Sequence, residues 1–400
     1  MNITLINHSD SRGGASVVAV RLMHALRRAG HNASMLVTHK STDDPCTVRA
    51  GAKLAVRSAF IREHLRIFCG NSFTRDDLFK VSLCSDGIGL DRHPLVREAD
   101  AVILNWVNQG MMSLKEISRI AAAKPVIWTM HDMWNLSGIC HHAGTCTAYR
   151  TACGNCPLLH GAASPRDLSH RTWTRKKALY DEAHIRFVAV SSWLAGKCAE
   201  SSLLGGSEVD VIPNAFPVEE FYCGDKNATG KKIILMGAAR LDDPVKGLPL
   251  AIEALNKLDR DDFKAVFFGA VRDSHAFDSL RCDYSLVGPV SDKEAVRRLY
   301  AGASVVLSSS LYETLPGTLI EGQAAGCTPV CFDSGGQRDI IDSRDTGILV
   351  SPYDTDALAR ALSEALDSPC DPDTLRRSVS EKFSADAVAA RYINLIGRTV

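Results

Sequence analysis

Two carboxylates flank a short polar segment late in the chain. Glu313 and Glu321 are eight positions apart, on either side of Pro316. The apolar run 305–307 predicts a strand before them, and the Pro-Gly pair predicts the start of a helix that continues to about residue 325. Glu313 is therefore expected in the loop before the helix and Glu321 about one turn inside it.

The amides between these two acids are candidates for binding an anion. The first N–H groups of a helix have no intrahelical acceptor, and a helix N-terminus carries about half a positive charge. Gly317, Thr318 and Leu319 could therefore hold a phosphate through their backbone. Two glutamates beside such a site could accept hydrogen bonds from hydroxyl groups of the ligand. A nucleotide sugar has both phosphate and hydroxyl groups. The alternative is that Glu313 is a solvated loop residue and Glu321 an ordinary acid in a first helical turn.

A second candidate segment carries two cations on one loop. Arg240 and Lys246 follow the predicted strand 232–236 and are six residues apart, with glycine on each side. Such a pair can clamp a diphosphate and neutralise it as a leaving group. A solvated basic loop is the alternative, although a loop that follows a strand is where ligand groups occur in an α/β fold.

Two features of the first half could also take part in a site. Gly13 and Gly14 follow the first predicted strand and precede a helix, so the backbone could approach a ligand there, but the six-residue dinucleotide fingerprint is absent. His131 follows the predicted strand 126–129 and could donate to a sugar hydroxyl or stabilise developing charge. A packed histidine paired with Asp132 is the alternative.

Four of the thirteen cysteines are closely spaced. Cys140, Cys146, Cys153 and Cys156 fall in a loop, 140–160, that has little core-forming sequence, and a tetrahedral structural zinc site needs such a set. A histidine could replace one ligand; the candidates are His141, His142 and His160. Disulfides and an iron–sulfur cluster are the alternatives. Four protein ligands would leave no open position for catalysis.

The composition favours an enzyme-sized globular protein with no global attraction for nucleic acid. The chain has 400 residues, with 46 basic and 46 acidic side chains. It begins with a strand pattern rather than a signal peptide, and it lacks an apolar run of about 18 residues, so we expect a cytoplasmic protein. The segment 57–68 alternates basic and apolar residues at helical spacing. It could contact anionic lipid at the inner face of the membrane, or it could be an ordinary surface helix.

Short apolar runs alternate with amphipathic stretches almost throughout. This pattern predicts an α/β protein with two Rossmann-like, doubly wound parallel-sheet domains that face an interdomain cleft. We expect an N-terminal, acceptor-side domain over residues 1–212, which includes the cysteine loop. Residues 213–380 would form a nucleotide-sugar-binding domain, and 381–400 a C-terminal helix that could pack back on the first domain.

The combination of Arg240, Lys246-Gly247, the Gly288-Pro289 turn, Glu313 and Glu321 resembles the retaining GT-B glycosyltransferases of the group 1 family, glycosyltransferase family 4. The resemblance covers essentially the whole chain. It implies that Arg240 and Lys246 bind the donor diphosphate, that Glu321 binds the ribose, and that Glu313 contacts the donor sugar. It also implies that the amides after Pro316 receive the distal phosphate and that Val290 borders the nucleobase.

The resemblance implies a hexosyltransferase that retains anomeric configuration and needs no catalytic metal. The front-face mechanism proposed for the family lets the leaving phosphate take the acceptor proton, so His131 need not be a general base. The expected acceptor is a glycan or polyprenyl-linked oligosaccharide hydroxyl in surface polysaccharide biosynthesis. The rivals are a nucleotide-sugar epimerase or phosphorylase of the same fold, and a non-catalytic protein that binds glycans or partners.

Overall fold

A computed structural model describes residues 1–226 and 230–399. The chain divides into two compact units. The first comprises Met1–Ala215 and the segment from Val388 onward, and the second comprises Phe216–Ala387. Each unit is built on its own parallel β-sheet.

The first unit contains a seven-stranded sheet in the order β3-β2-β1-β4-β5-β6-β7. Its strands are β1 Asn2–Ser9, β2 Asn32–His39, β3 Thr47–Arg49, β4 Ala101–Leu104, β5 Val126–Met130, β6 Ile185–Ala189 and β7 Val209–Val211. Every residue of β4 and β5 is buried, as continuous apolar runs in a sheet covered on both faces require. The strand order reverses between β1 and β4, which is where such sheets bind ligands.

Six helices and the C-terminal helix accompany the first sheet in the part of the chain that the structure describes. They are α1 Gly14–Arg28, α2 Lys53–Gly70, the single turn α3 Pro94–Arg97, α4 Leu114–Ala121, α5 Leu168–Glu182, α6 Ser192–Ala199 and, at the C-terminus, α12 Ala385–Gly397. Local sequence sets several helix starts. Ser113 and Glu116 form a reciprocal capping box at α4, and the Asp167 carboxylate accepts from the first amides of α5.

The second unit contains a six-stranded sheet in the order β10-β9-β8-β11-β12-β13. Its strands are β8 Lys232–Arg240, β9 Phe263–Ala270, β10 Tyr284–Gly288, β11 Val305–Ser308, β12 Thr328–Phe332 and β13 Ile348–Val350. Its helices are α7 Leu248–Asn256, α8 Lys293–Gly302, α9 Gly317–Ala324, α10 Thr355–Asp367 and α11 Pro372–Phe383. The order reverses between β8 and β11, so the loops after these neighbouring strands meet at one edge of the sheet.

The predicted fold class is confirmed, because both sheets are parallel and are covered by helices. The sequence pattern missed β3 and β13. Both are three-residue strands at a sheet edge, and the Thr-Val-Arg sequence of β3 has no apolar periodicity to reveal it.

Helix α2 contains the basic and apolar segment that the sequence analysis singled out. It buries Ala59, Glu63, His64 and Ile67, while Leu54, Ile61 and Leu65 are at least half exposed. The exposed apolar residues recur at helical spacing along one side. Within the described residues, every helix is too short or too polar to span a bilayer.

Candidate active site

A lysine and a glutamate meet at the reversal point of the second sheet. Lys246 follows β8 and Glu313 follows β11, and Lys246 Nζ lies 2.5 Å from Glu313 Oε1. Both side chains keep some solvent access, 28% for Lys246 and 20% for Glu313. The two residues that the sequence analysis placed in one site are therefore in direct contact.

The loop that carries Lys246 is fastened to the end of β11. Ser309 Oγ donates to the Lys246 carbonyl at 2.9 Å, and the Leu311 amide donates to the Val245 carbonyl at 2.8 Å. Gly247 makes this approach possible, because its φ is +64° and a Cβ there would lie 2.2 Å from the Ser309 carbonyl oxygen. The position of Lys246 is thus set by backbone contacts on both sides.

A third loop, after β12, holds the backbone of Glu313. The Gly336 amide donates to the Glu313 carbonyl at 2.9 Å, and Ser334 Oγ donates to the Ser310 carbonyl at 2.6 Å. A Cβ on Gly335 would lie 1.9 Å from the Glu313 carbonyl oxygen, so the two segments touch backbone to backbone. This support was not predicted, although the Gly335-Gly336 pair, three residues after the apolar run 329–332, is a local signal for a close backbone approach.

Helix α9 begins beside this pair, as predicted. Pro316 precedes it and provides no side-chain cap, and a Cβ on Gly317 would lie 2.8 Å from the Phe216 ring. The Leu319 amide donates to the Pro316 carbonyl at 3.2 Å, so it already has an acceptor within the turn. Gly317 and Thr318 are therefore the better placed of the three predicted phosphate-binding amides.

Arg240 is the last residue of β8 and pairs with acids of its own loop. Its Nη2 lies 2.9 Å from Asp243 Oδ2 and its Nε lies 3.5 Å from Asp242 Oδ1. The Asp242 carboxylate also accepts from the amides of Arg272 and Asp273, both at 2.8 Å. The Arg240 guanidinium is thus held by two carboxylates, as Lys246 is by one.

The remaining predicted donor residues lie on the neighbouring elements. Glu321 is half-buried in α9, and its carboxylate lies near the phenol of the buried Tyr300; burial, with the Glu321 charge adding to it, raises the pKa of that phenol. Val290 is half-buried in the loop between β10 and α8. Both residues belong to the same unit as Lys246.

In the first unit, Gly13 caps α1 at the reversal point of the sheet. Its φ is +82°, and a Cβ added to Gly13 or to Gly14 would meet no atom within 4 Å. The space over this helix N-terminus is therefore open. Nearby, burial raises the pKa of Asp10, but hydrogen bonds from Thr42 and Ser41 outweigh it and lower that pKa to about 2, so Asp10 fixes the adjoining loop as a carboxylate.

His131 is at the carboxyl end of β5 and is held by its neighbour on β4. Its Nε2 lies 3.0 Å from Asn105 Oδ1, and burial lowers the pKa of His131 to about 4. The ring is therefore neutral near pH 7, and it can donate a hydrogen bond but does not supply a cation. His131 and Thr129 line a cavity of about 10 Å³ together with Asn214 and Tyr392.

Asp132 pairs with a different histidine from the one expected. Its Oδ2 lies 2.7 Å from His141 Nδ1 and accepts from Trp106 Nε1 at 3.2 Å, while His141 Nε2 lies 3.0 Å from Ser82 Oγ. The order Ser82, His141, Asp132 is that of a nucleophilic triad, but Ser82 is completely buried and cannot reach a substrate. This network positions the loop that follows β5.

The four clustered cysteines line one small cavity of about 20 Å³. The backbone of Cys153, Gly154 and Asn155 is left-handed throughout, and the Gly138 amide donates to Cys153 Sγ at 3.2 Å. All thirteen cysteines are free thiols. Among the described residues, no group of three or more His, Cys, Asp or Glu side chains is arranged to hold a metal.

Two of the three histidines proposed as substitute ligands have partners outside the cysteine cavity. His141 is bound by Asp132 and Ser82, as described above, and His160 Nε2 lies 3.0 Å from Asp77 Oδ2. None of His141, His142 and His160 lines the cavity that the four cysteines share. The four cysteines are therefore the candidate metal ligands that lie together.

The fold matches solved structures of the GT-B class along its whole length. The TM-score is 0.66 with sucrose-phosphate synthase from Thermosynechococcus elongatus, at 18% identity over 99% of this chain and 98% of that one. It is 0.65 with Anabaena HepE in complex with UDP, at 13% identity over 100% of both chains. At these identities the likeness shows the GT-B fold.

Sequence comparisons match a segment of the second unit to a known family. Residues 220–383 match the family model for glycosyl transferases group 1. Glycogen synthase from Thermodesulfovibrio yellowstonii is 25% identical over 162 residues, which is 36% of this chain and 32% of the relative. The putative colanic acid biosynthesis glycosyl transferase WcaC of Escherichia coli is 27% identical over 133 residues, 30% of this chain and 32% of the relative.

The aligned part of the chain spans about a third of the length of each of these curated relatives. The family match contains Arg240, Lys246, Glu313 and Glu321, the residues that carried the resemblance in the sequence. The family match therefore covers part of the second unit, and the likeness along the whole chain is one of fold.

Proposed function

We propose that this protein is a retaining glycosyltransferase that transfers a sugar, expected to be a hexose, from a nucleotide diphosphate sugar to a hydroxyl group. The observation that carries the proposal is the Lys246–Glu313 pair beside the start of α9. A cation, a carboxylate and helix-terminal amides within one site match the phosphate and hydroxyl groups of such a donor. The matched group 1 family and the UDP complex of HepE agree with this donor class.

The cations of the site are pre-positioned by acids that a donor would replace. Lys246 is held by Glu313, and Arg240 by Asp242 and Asp243. A bound diphosphate would accept hydrogen bonds from both cations and from the amides of α9. Glu313, released from Lys246, would then accept from hydroxyl groups of the donor sugar, and Glu321 from the ribose.

The proposed reaction breaks the bond between the anomeric carbon and the diphosphate oxygen, which leaves with the electron pair. The acceptor hydroxyl attacks the same face, and its proton passes to an oxygen of the leaving phosphate. Lys246 and Arg240 would stabilise the charge that grows on the diphosphate, which is an electrostatic role that needs no metal ion. No residue has to form a covalent intermediate in this scheme.

His131 fits the acceptor side of the proposal as a hydrogen-bond donor. Burial lowers its pKa to about 4, so it is neutral at the pH of the reaction and cannot supply a proton efficiently. Its place at the carboxyl end of β5 is where a substrate hydroxyl would be bound in a sheet of this type. Gly13 and Gly14 would give the same substrate close access to the N-terminus of α1.

The proposed acceptor is a glycan or a polyprenyl-linked oligosaccharide in surface polysaccharide biosynthesis, reached from the cytoplasmic face of the membrane. The printed name of WcaC, a putative transferase of colanic acid biosynthesis, favours this class. The exposed apolar residues Leu54, Ile61 and Leu65 of α2 favour contact with a lipid surface.

Product analysis tests the proposal against its rivals. The protein is incubated with a panel of nucleotide sugars and candidate acceptors, and products are identified by mass spectrometry and by NMR of the new anomeric centre. A glycoside with the donor's anomeric configuration supports a retaining transferase. An isomerised nucleotide sugar would indicate an epimerase, a sugar 1-phosphate formed with inorganic phosphate would indicate a phosphorylase, and an unchanged donor would indicate a binding protein.

We also propose that Cys140, Cys146, Cys153 and Cys156 hold a structural zinc ion. Four thiolates around one Zn²⁺ carry a net charge of about minus two, which a buried cation nearby would offset. Lys176 is the candidate for such a cation: it is completely buried, and its Nζ donates to the carbonyl of Ser137 at 3.0 Å, three residues from Cys140. Burial lowers the pKa of Lys176 to about 7, while negative charge on Cys140 and Cys153 favours its protonated form. The amide of Gly138 on Cys153 Sγ is the kind of hydrogen bond that supports a metal thiolate.

A further inference from the structure

A wide basic groove lies in the first unit, apart from all the residues assigned above. It has a volume of about 990 Å³ and is lined by cations from three separate segments. Arg66 comes from α2 and Lys115 from the first turn of α4. Arg166 precedes the N-cap of α5, and Arg171 and Arg175 lie in the first half of that helix. Of these positions only Arg66 was singled out from the sequence, as part of the segment 57–68.

The charged side chains that line the groove have one sign, because among the described residues that line it there is neither Asp nor Glu. Arg66 is ion-paired with Asp86, which lies outside the lining, so Lys115, Arg166, Arg171 and Arg175 carry most of the positive charge. The chain as a whole is neutral, with 46 basic and 46 acidic residues, so this concentration of cations is local. Clefts lined by one sign of charge raise the local concentration of ligands with the opposite sign.

Two of the guanidinium groups are oriented by the protein. Arg171 Nε donates to the Arg166 carbonyl at 3.0 Å, and Arg175 Nη2 donates to Thr172 Oγ1 at 3.0 Å. Each of these hydrogen bonds uses one of the five N–H donors of a guanidinium group, so other donors of the same group can bind a ligand. Pre-oriented arginines of this kind bind phosphate through paired N–H groups.

The groove also has an apolar side. Leu83 and Leu168 line it together with Cys69 of α2. Cys69 follows Leu65 and Ile61 at helical spacing, and both of these are at least half exposed. The exposed apolar residues of α2 therefore lie on the same side of the helix as Cys69, which lines the basic groove.

We propose that this groove binds a phosphate or diphosphate group carried by the acceptor. The inference rests on the proposed function, because it names the chemical class of the second substrate. The cations would hold the anion while Cys69, Leu65 and Ile61 lie beside an attached apolar chain. The same chemistry is presented by a soluble sugar diphosphate and by a lipid diphosphate, and the test separates these sources.

The first measurement is titration of inorganic pyrophosphate into the full chain by calorimetry at low salt. Arg240→Ala and Lys246→Ala are combined as the background, so that the proposed donor site does not contribute. Adding Arg166→Ala and Arg171→Ala to this background should weaken pyrophosphate binding about tenfold or more, because each arginine provides charge-assisted hydrogen bonds. Arg57→Ala, an exposed arginine of α2 outside the groove lining, is the matched control and should change nothing.

The second measurement uses phosphatidylcholine vesicles that contain either a polyprenyl diphosphate or phosphatidylglycerol at equal surface charge. Stronger capture by the lipid diphosphate, lost with Arg166→Ala and Arg171→Ala, assigns the groove to a lipid acceptor. Equal and weak capture, with pyrophosphate binding still dependent on these arginines, assigns it to a soluble diphosphate. Pyrophosphate binding that is absent or insensitive to the arginines overturns the proposal.

A failure here is distinguishable from a failure of the proposed function. Donor hydrolysis by the wild-type chain does not depend on the groove, because the residues proposed to bind the donor lie between 240 and 321 in the second unit. A protein that hydrolyses a nucleotide sugar but ignores pyrophosphate in the groove would keep the glycosyltransferase proposal and remove this one. Lys115→Gln, on a different helix, provides a further variant if the double arginine substitution disturbs folding.

Discussion

Glu321 is the residue whose proposed role is most specific, because a carboxylate inside α9 would accept from the ribose hydroxyls. Glu321→Ala should weaken binding of the nucleotide sugar about tenfold, since hydrogen bonds to a charged group contribute roughly 1.5–3 kcal/mol. Calorimetric titration of the donor measures this. Glu381→Ala, at an exposed position of α11 in the same unit, is the control. Unchanged donor affinity in Glu321→Ala would remove the ribose assignment.

The lowered pKa of His131 predicts that the free energy of unfolding depends on pH. Burial lowers its pKa from 6.5 to about 4, so the folded state disfavours the proton that the unfolded chain accepts. Its contribution is complete above about pH 6.5 and is lost as the pH falls towards 4. Between pH 7 and pH 5 the loss should be about 2 kcal/mol of the free energy of unfolding.

His131→Gln tests this window, because glutamine does not titrate and still has an N–H donor for Asn105 Oδ1. Urea unfolding at pH 7 and at pH 5 should show a smaller decrease in stability for the variant than for the wild type. Burial also lowers the pKa of His8 to about 4, so the variant should flatten the pH dependence only in part. An equal decrease in both proteins would contradict the assignment.

At the scale of elements, the site depends on how closely the loop after β8 approaches the end of β11. Gly247→Ala places a Cβ 2.2 Å from the Ser309 carbonyl oxygen in a left-handed backbone, which should cost about 1–3 kcal/mol of stability and displace Lys246. Donor affinity and thermal unfolding are both measured. Gly302→Ala in α8, where a Cβ meets no atom within 4 Å, is the matched control and should leave both intact.

The cysteine loop is the second element with a direct test. Protein purified without chelator should contain about one zinc ion per chain, and chelation should lower the unfolding temperature while exposing four more thiols to titration. Cys153→Ser should lose the metal, whereas Cys46→Ser, at a half-buried cysteine outside the loop, should retain it. Metal-free protein with all its thiols freely titratable would exclude zinc.

The elements differ in how far the sequence could predict them. Long apolar runs such as 101–104 and 126–130 are buried on both faces, and their sequence alone identifies them as central strands. Strand β3 was missed because its Thr-Val-Arg sequence has only one apolar residue, and β13 because an apolar run of three residues is too short to identify a strand by itself. The start of α9 was predictable because Pro-Gly is a local signal, independent of tertiary contacts.

At the scale of the whole molecule, the sequence indicated which residues belong to the site. It did not indicate every contact that those residues make. Parallel strands bring the loops of Lys246 and Glu313 together, and the strand pattern implied this neighbourhood. The pairing of Asp132 with His141 rather than His131 depends on a loop that folds back from nine residues away, for which the sequence has no periodic signal. The basic groove is likewise assembled from segments as far apart as residues 66 and 175.

The central claim is that the second unit binds a nucleoside diphosphate sugar through Lys246. The most direct test is calorimetric titration of a panel of nucleotide sugars into the wild type and Lys246→Met, with Lys293→Met at an exposed position of α8 as the control. The wild type and the control should bind at least one donor alike, and Lys246→Met should bind it about tenfold more weakly or worse. Equal affinity in all three proteins, or no binding across the panel, would contradict the account.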